Sequence, residues 1–314
     1  MALEYKQIAL DIRKKVLPSG HPYLASSYNS IGRTYGELGK HDRALEYQQI
    51  ALDIHKRSLP PEHPVLAVSY DNVGTTYGEL GNHHNALEYQ QTAFEIRKRS
   101  LPPVHPILAT SYNNLSITYN RLSDLHKALE YALNALEIHN KALPPEHPYL
   151  ATSCNNVGSV YSALGNHHKA LEYTQIALYI RQKALPPAHP SLATSYNNVG
   201  SAYAGLGNLH KALEYKLKAL NVWEQALSPE HPDLAISCSN IAWNYHELGD
   251  FISAAPYMRR AADIISLSSL PQTHPNRVEY PKLAKEYEQK AAMQRKLLAQ
   301  PMEWGRPSLP FPKK

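Results

Sequence analysis

Residues His21 to Leu59 read HPYLASSYNSIGRTYGELGKHDRALEYQQIALDIHKRSL, and this segment decides the fold. After Pro22, which suits a first helical turn, apolar residues recur at helical spacing, and the same spacing returns after Gly39. Glycine readily adopts the left-handed conformation that ends a helix. The segment therefore predicts two amphipathic helices, helix A before Gly39 and helix B after it.

The dipeptide His-Pro marks a repeat of this segment. It recurs every 42 residues and once after 43, beginning at His21, His63, His105, His147, His189, His231 and His274. The Pro-Pro pairs between repeats cannot continue a helix, so each repeat is a separate hairpin. One hairpin has too small a core to be stable, so neighbours must stack. We predict an all-α solenoid with six units at 21–62, 63–104, 105–146, 147–188, 189–230 and 231–270.

The two ends of the chain differ from the repeat. Residues 1–17 match helix B alone, which indicates either a fragment of a longer protein or a half-repeat that serves as a cap. After His274 the pattern fails, because Pro281 interrupts it. The polar segment 274–300 is predicted to be a C-terminal capping helix, whose outer face must be wet. Residues 301–314 hold four prolines and are predicted to be disordered.

Composition excludes several functions. The net charge of +5, from 32 basic and 27 acidic residues, is too evenly spread for a nucleic-acid-binding stripe. No apolar run is long enough for a membrane helix and no signal pattern opens the sequence, so we expect a cytoplasmic protein. Cys154 and Cys238 lie two repeats apart and are predicted to be reduced.

No enzyme, metal site or cofactor site is predicted. The 17 histidines include the pairs at 83–84 and 167–168, but neither pair has cysteine or carboxylate companions at ligand spacing. The His-Pro histidines are one repeat apart, too far to share an ion. Phosphate-binding glycine loops, nucleophile elbows and HExxH motifs are absent from the sequence.

Ile31, Gly32, Tyr35, Ala44 and Ala51 stand at the spacing of the tetratricopeptide repeat, which the segment resembles. The 42-residue period and the Pro-Pro-Glu-His-Pro linkers are similar to those of kinesin light chains. The resemblance covers roughly residues 1–270 and implies a right-handed superhelix of helix-turn-helix hairpins. One systematic difference is that the helix B aromatic lies one place early, at Tyr47, Tyr89, Tyr131, Tyr173 and Tyr215.

A polar groove is predicted on the face of helix A opposite the packed positions. Its repeated asparagines can hydrogen-bond the backbone of an extended peptide whatever the peptide's sequence. The resemblance implies this role and an acidic, aromatic ligand. The candidate residues are Asn29, Asn113, Asn155 and Asn197 at one position, Asn72, Asn114, Asn156, Asn198 and Asn240 at the next, and Arg33, Arg121 and Trp243.

Two readings stay open for the asparagines, which either contact a ligand or bond the neighbouring repeat. For the chain as a whole, the first hypothesis is an adaptor or scaffold that binds a protein or a linear peptide. The alternative is an architectural or regulatory repeat module of a larger protein, with or without an enzyme domain. A third hypothesis is that the tail around Trp304, which resembles an acidic tryptophan motif, binds the groove of its own chain or of a neighbour.

Overall fold

Each helix A begins at a His-Pro dipeptide. In the computed structural model, which describes residues 2–268 and 274–299, the histidine is the N-cap and the proline is the first helical residue. The backbone N–H of Tyr23, for example, donates to His21 Nδ1 at 3.2 Å. A histidine in this role satisfies an amide that the helix leaves without a partner. The repeat of the dipeptide therefore places the start of every helix A.

Glycines end the helices A, as the sequence predicts. Gly39 has φ +70°, the N–H of Lys40 donates to Tyr35 O at 2.9 Å, and the N–H of Gly39 donates to Gly36 O at 2.9 Å. This pair of bonds is the Schellman motif. Ser123 takes the glycine position in the third repeat with φ +62°. A serine there holds the left-handed conformation against the steric clash of its Cβ.

Every regular element in residues 2–268 and 274–299 is an α-helix. The helices are α1 (Ala2–Val16), α2 (Pro22–Glu37), α3 (His41–Ser58), α4 (Pro64–Glu79), α5 (His83–Ser100), α6 (Pro106–Arg121), α7 (Leu125–Ala142), α8 (Pro148–Ala163), α9 (His167–Ala184), α10 (Pro190–Gly205), α11 (Leu209–Ala226), α12 (Pro232–Glu247), α13 (Phe251–Leu267) and α14 (Pro275–Leu298). None of these described helices is both long and apolar enough to cross a membrane.

The helices form two compact units, residues 1–222 and 223–314. In the first unit helices A and B pack as hairpins, α2 with α3, α4 with α5, α6 with α7 and α8 with α9. Each hairpin also packs on the next, for example through α3 and α4, and α1 packs on α2. In the second unit α13 packs against both α12 and α14. Stacked hairpins of this kind make the fold an all-α solenoid.

Close approach of helices A and B determines the hairpin core. A Cβ added to Gly32 would lie 2.8 Å from Gln48 Cγ and 3.0 Å from Ala44 O. The early aromatic of helix B, Tyr47, stays inside its own hairpin, with ring centroids 6.0 Å from Tyr28 and 5.4 Å from Tyr35. This arrangement leaves the next position, Gln48, to face both the glycine and the following repeat.

A set of three core positions, the last of them in the following repeat, differs at the third repeat from the first two repeats. Gln48 is buried and accepts a hydrogen bond from Thr76 Oγ1 of the next repeat at 2.7 Å. In the third repeat Ser116 replaces the glycine and Ala132 replaces the glutamine, and in the fourth repeat Val160 replaces the threonine. The Ser116 hydroxyl uses the space for a 2.7 Å bond to Ala128 O. The larger Ser116 on helix A is thus accompanied by the smaller Ala132 on helix B and by the apolar Val160 in the next repeat.

Helix α14 continues through Pro281, the residue at which the sequence pattern of the repeats is interrupted. Helix α14 starts at Pro275 and runs through Pro281 without a break. A proline inside a helix removes one backbone bond, and this loss is tolerated here because Tyr280, Ala284, Tyr287 and Ala291 are buried along one face. The predicted disordered tail, 301–314, lies outside the described residues.

Replacing Ser123 by glycine should raise the free energy of unfolding by about 1 kcal/mol, because glycine adopts φ +62° without a Cβ clash. Chemical denaturation measures the change. Ser26→Gly, at an exposed position inside α2, is the control and should lower stability. Equal effects of both variants would contradict the argument.

Gly74→Ser should cost about 1–3 kcal/mol, because a Cβ at this position would lie 2.9 Å from Gln90 Cγ. The triple variant Gly74→Ser, Gln90→Ala, Thr118→Val copies the set found at Ser116, Ala132 and Val160, and it should recover at least half of that loss. The free energies of unfolding of the single and triple variants give the coupling. Additive losses would show that the three positions are independent.

Candidate functional site

Two rows of residues follow the predicted groove along the helices A of the first unit. The first row consists of Asn29, Asp71, Asn113, Asn155 and Asn197, and the second row consists of Asn72, Asn114, Asn156 and Asn198. Successive residues of a helix are rotated by about 100° about the helix axis. The side chains of the two adjacent rows therefore face different surroundings.

Two residues of the first row, Asn29 and Asn113, bond the next repeat. Asn113 is 5% exposed, and its Nδ2 donates to Ser153 Oγ at 2.9 Å. Asn29 donates in the same way to Ser69 Oγ at 3.3 Å. Asp71 and Asn155 are also buried. These contacts favour the reading in which the first row joins repeats.

The same serines receive a second contact from the last turn of the preceding helix B. His55 Nδ1 lies 2.7 Å from Ser69 Oγ, and His139 Nδ1 lies 2.8 Å from Ser153 Oγ. Arg97 and Arg181 donate to Ser111 and Ser195 at 2.7 Å and 2.8 Å, and Arg13 donates to Ser27. Ser69 and Ser153 therefore connect both helices of one repeat directly to helix A of the next, and Ser111 does so through the ion pair of Arg97 with Asp71.

Four of these helix B residues are buried, although they stand in the last turns of their helices, where basic side chains commonly lie in solvent: His55, Arg97, His139 and Arg181. Arg97 is buried and pairs with Asp71, which takes the asparagine place in the first row. Burial raises the pKa of Asp71 above its ordinary value, and the Arg97 guanidinium opposes that rise. The signal in the sequence is a basic residue or histidine always 14 residues before a serine, from Arg13 and Ser27 to Arg181 and Ser195.

The second row is only half-buried. Asn156 Nδ2 donates to Asn113 Oδ1 at 2.9 Å, so a first-row residue fixes the orientation of a second-row amide. Asn114 and Asn198 each line an open depression of about 400 Å³. Asn72 is half-buried at the same position of α4. The second row thus presents amide groups toward a surface with room for a ligand.

The two depressions differ in charge. The depression at Asn114 is lined by Glu79, His83, Ile117 and Arg121. The depression at Asn198 has only small and polar neighbours, including Ser159, Ala163 and Ser201. Arg121 therefore lines the same depression as Asn114, and Ile117 and His83 are additional lining residues that the asparagine pattern does not reveal.

The remaining candidates lie at separate places. Arg33 is exposed, and its Nε lies 3.9 Å from Glu37 Oε1. Asn197 is half-buried in the first row. In the second unit Asn240 is half-buried, and Trp243 is 52% exposed with its ring edge-on to His246 at 5.1 Å. The tail segment around Trp304 lies outside the described residues.

Comparison with known protein families identifies the repeats. A family model described as tetratricopeptide repeat matches the chain six times, at residues 1–57, 37–99, 64–141, 107–183, 150–215 and 191–265. The chain belongs to the tetratricopeptide repeat (TPR) family. A search of curated proteins finds no significant match to the sequence.

The solved structures that this chain resembles include TPR proteins of the kinesin light chain type. The nearly identical TPR-like repeats of a kinesin light chain of Podosopora anserina match with a TM-score of 0.54 and 25% identity, over 65% of this chain and 96% of that one. BtubC (BKLC) from P. vanneervenii matches with a TM-score of 0.58 and 20% identity, over 72% and 91%. The Cut9-Hcn1 assembly of the APC/C shares the fold, with a TM-score of 0.62 and 17% identity, over 91% and 46%.

The buried histidines of the TPR interface should make stability depend on pH. Burial lowers the pKa of His139 below 6.5, so the unfolded chain binds more protons than the folded chain as the pH falls through that value. The free energy of unfolding should therefore decrease with falling pH. His139→Arg introduces the residue that Arg181 represents in the next repeat, and its charge is constant in this range. Denaturation curves at about pH 7 and about pH 5 should show a smaller loss for this variant. His126→Arg, at an exposed position, is the control and should behave as the parent chain.

Proposed function

We propose that the TPR chain is an adaptor that holds an extended peptide on the second row of its helices A. As a TPR array of the kinesin light chain type, the chain is a scaffold for protein interactions. The observation that supports a peptide on the second row is that the two rows make different contacts. Asn29 and Asn113 of the first row bond the next repeat, whereas the second row is half-buried and lines open depressions at Asn114 and Asn198.

The spacing of the second row fits an extended chain. Packed helices are on the order of 10 Å apart, and an extended peptide advances about 3.3 Å per residue. The distance from one second-row asparagine to the next therefore corresponds to about three residues of an extended ligand. Each amide offers both donors and acceptors, so it can bond a peptide backbone of any sequence. The bond from Asn156 to Asn113 orients its amide before a ligand arrives, which reduces the entropy lost on binding.

The depressions supply sequence preference. Arg121 can pair with an acidic side chain of the ligand, and Asn114, which lines the same depression, can bond the adjacent backbone of the ligand. The neutral depression at Asn198 has space for a bulky side chain, because Ser159, Ala163 and Ser201 are small. An acidic and aromatic peptide suits this pair of subsites. The groove does no chemistry in this proposal, and it needs no cofactor and no metal.

A displayed library of random peptides should enrich sequences that bind the intact chain. Those peptides should lose at least tenfold in affinity, about 1.4 kcal/mol, when Asn114, Asn156 and Asn198 are all replaced by alanine. The matched control replaces Asn85, Asn134 and Asn140 of the helices B, and it should change affinity less than twofold. Binding of acidic peptides should also weaken with added salt and with Arg121→Ala.

Failure would take one of two forms. If no peptide is enriched on a folded chain, the adaptor hypothesis is wrong and the architectural module becomes the better reading. If peptides bind but ignore the asparagine substitutions, binding occurs on another surface. Far-ultraviolet circular dichroism on each variant separates both results from a loss of folding.

A further inference from the structure

A chain of hydrogen bonds connects a buried histidine to the candidate ligand surface. Asn156 Nδ2 donates to Asn113 Oδ1 at 2.9 Å, and Asn113 Nδ2 donates to Ser153 Oγ at 2.9 Å. Ser153 Oγ lies 2.8 Å from Nδ1 of His139, which is 2% exposed. Because Asn113 donates to the Ser153 oxygen, the Ser153 hydroxyl hydrogen can be donated to Nδ1 of a neutral His139. Every donor in the chain then points toward the histidine.

The first and second repeats meet through a similar but shorter chain. Asn29 Nδ2 donates to Ser69 Oγ at 3.3 Å, and Ser69 Oγ lies 2.7 Å from His55 Nδ1. The Asn29 oxygen, however, is buried without a hydrogen-bond partner, so the chain does not reach Asn72 of the second row. Of these two histidines, only His139 is therefore linked to a second-row amide.

Interfaces that carry arginine at this position show what a positive charge does to the serine. Arg97 donates to Ser111 Oγ at 2.7 Å, and Ser111 donates its own hydrogen to the carbonyl four residues earlier at 3.4 Å. Ser27, which accepts from Arg13, donates to the equivalent carbonyl at 3.1 Å. Within residues 2–268, the serines beside the two histidines make no such bond. A cation therefore makes the serine an acceptor and turns its hydrogen back to its own helix.

One arginine interface also shows the effect on the asparagines. Arg181 donates to Ser195 Oγ at 2.8 Å, and among the described residues Asn155 makes no bond to that serine. The buried Asn155 Oδ1 has no hydrogen-bond partner in the described part of the chain. The first row therefore does not orient Asn198 as it orients Asn156. A cation at this position thus accompanies a second-row amide that the first row leaves unfixed.

We propose that protonation of His139 weakens peptide binding at Asn156. A protonated ring donates from Nδ1, so the Ser153 hydrogen turns away and the interface takes the arrangement found beside arginine. Asn113 then loses its fixed position and no longer orients Asn156. More entropy is lost when a peptide has to order that amide, so affinity falls. This inference rests on the proposed binding of a peptide to the second row and concerns its regulation.

The surroundings of His139 set the pH range of this effect. Burial lowers the pKa of His139 below 6.5, the Pro106 carbonyl of α6 opposes that shift, and His147 of α8 lowers the pKa further. From α8 the Tyr149 ring also stacks on His139 at 5.8 Å. The His139 ring is therefore neutral at pH 7. Affinity should be lost as the pH falls through a value below 6.5.

The probe is a library peptide without histidine that loses affinity on Asn156→Ala. Its acidic side chains stay charged in the range used. Its affinity for the parent chain should fall about fivefold or more between about pH 7.5 and about pH 5. His139→Arg carries a permanent charge, so its affinity should be low at both values. Asn156→Ala should remove most of the pH dependence, because the effect passes through that amide.

Two other histidines provide matched controls. His55→Arg changes the same kind of interface, but no bond links His55 to a second-row amide, so the loss of affinity in acid should persist. His147→Asn removes the titratable ring nearest to His139 and keeps a residue that can cap α8, so the loss should persist here too. Circular dichroism at both pH values checks that each variant is folded.

Nuclear magnetic resonance tests the hydrogen-bond chain without any ligand. The side-chain amide signals of Asn113 and Asn156 should shift with the same pH midpoint as the His139 ring signals. In His139→Arg the amide signals should stay constant over the same range, because no group in the chain then titrates.

Three results would overturn this inference alone. One is a set of amide signals that do not follow the His139 titration. Another is a peptide that depends on Asn156 but binds equally well at both pH values. The third is a loss of affinity in acid that His139→Arg shows to the same extent as the parent chain. Enrichment of no peptide on a folded chain at either pH is a separate failure, since it removes the peptide-binding proposal itself and its regulation with it.

Discussion

In the first unit, a serine in the second turn of each helix A bonds the preceding helix B, and the packing of neighbouring repeats depends on this contact. Ser153 is contacted by His139 of the preceding helix B and accepts a bond from Asn113 of the preceding helix A. Buried polar groups are costly unless they are hydrogen-bonded, so this three-way contact also fixes the angle between repeats. Because Asn113 is held there, its remaining oxygen can orient Asn156. The interface between repeats and the candidate ligand surface are therefore one connected network.

Most of the fold follows from the sequence, because its signals are local and repeated. The His-Pro dipeptide fixes where each helix A begins, and the left-handed glycine fixes where it ends. Neither signal needs information from a distant part of the chain. Pro281 shows the limit of local reasoning, since the burial of one face of α14 outweighs a single lost backbone bond.

The candidate site could be predicted only in part. Periodicity places both asparagine rows near one edge of helix A, but it cannot decide which of two adjacent residues turns inward. That decision rests on Ser69 and Ser153 of the next repeat. Likewise, Arg97 belongs to a basic cluster that looks solvated in sequence, yet its partner Asp71 lies 26 residues earlier in the chain. Long-range polar pairs of this kind have no signature in a single repeat.

The set formed by Ser116, Ala132 and Val160 has a consequence for how such arrays can evolve. The first two residues belong to one repeat and the third to the following repeat, so the fit of a hairpin core is shared with its neighbour. A repeat copied or moved to another place would bring only part of a matched set. The repeats look alike in sequence but are not interchangeable. Their order is therefore inherited together with their sequences.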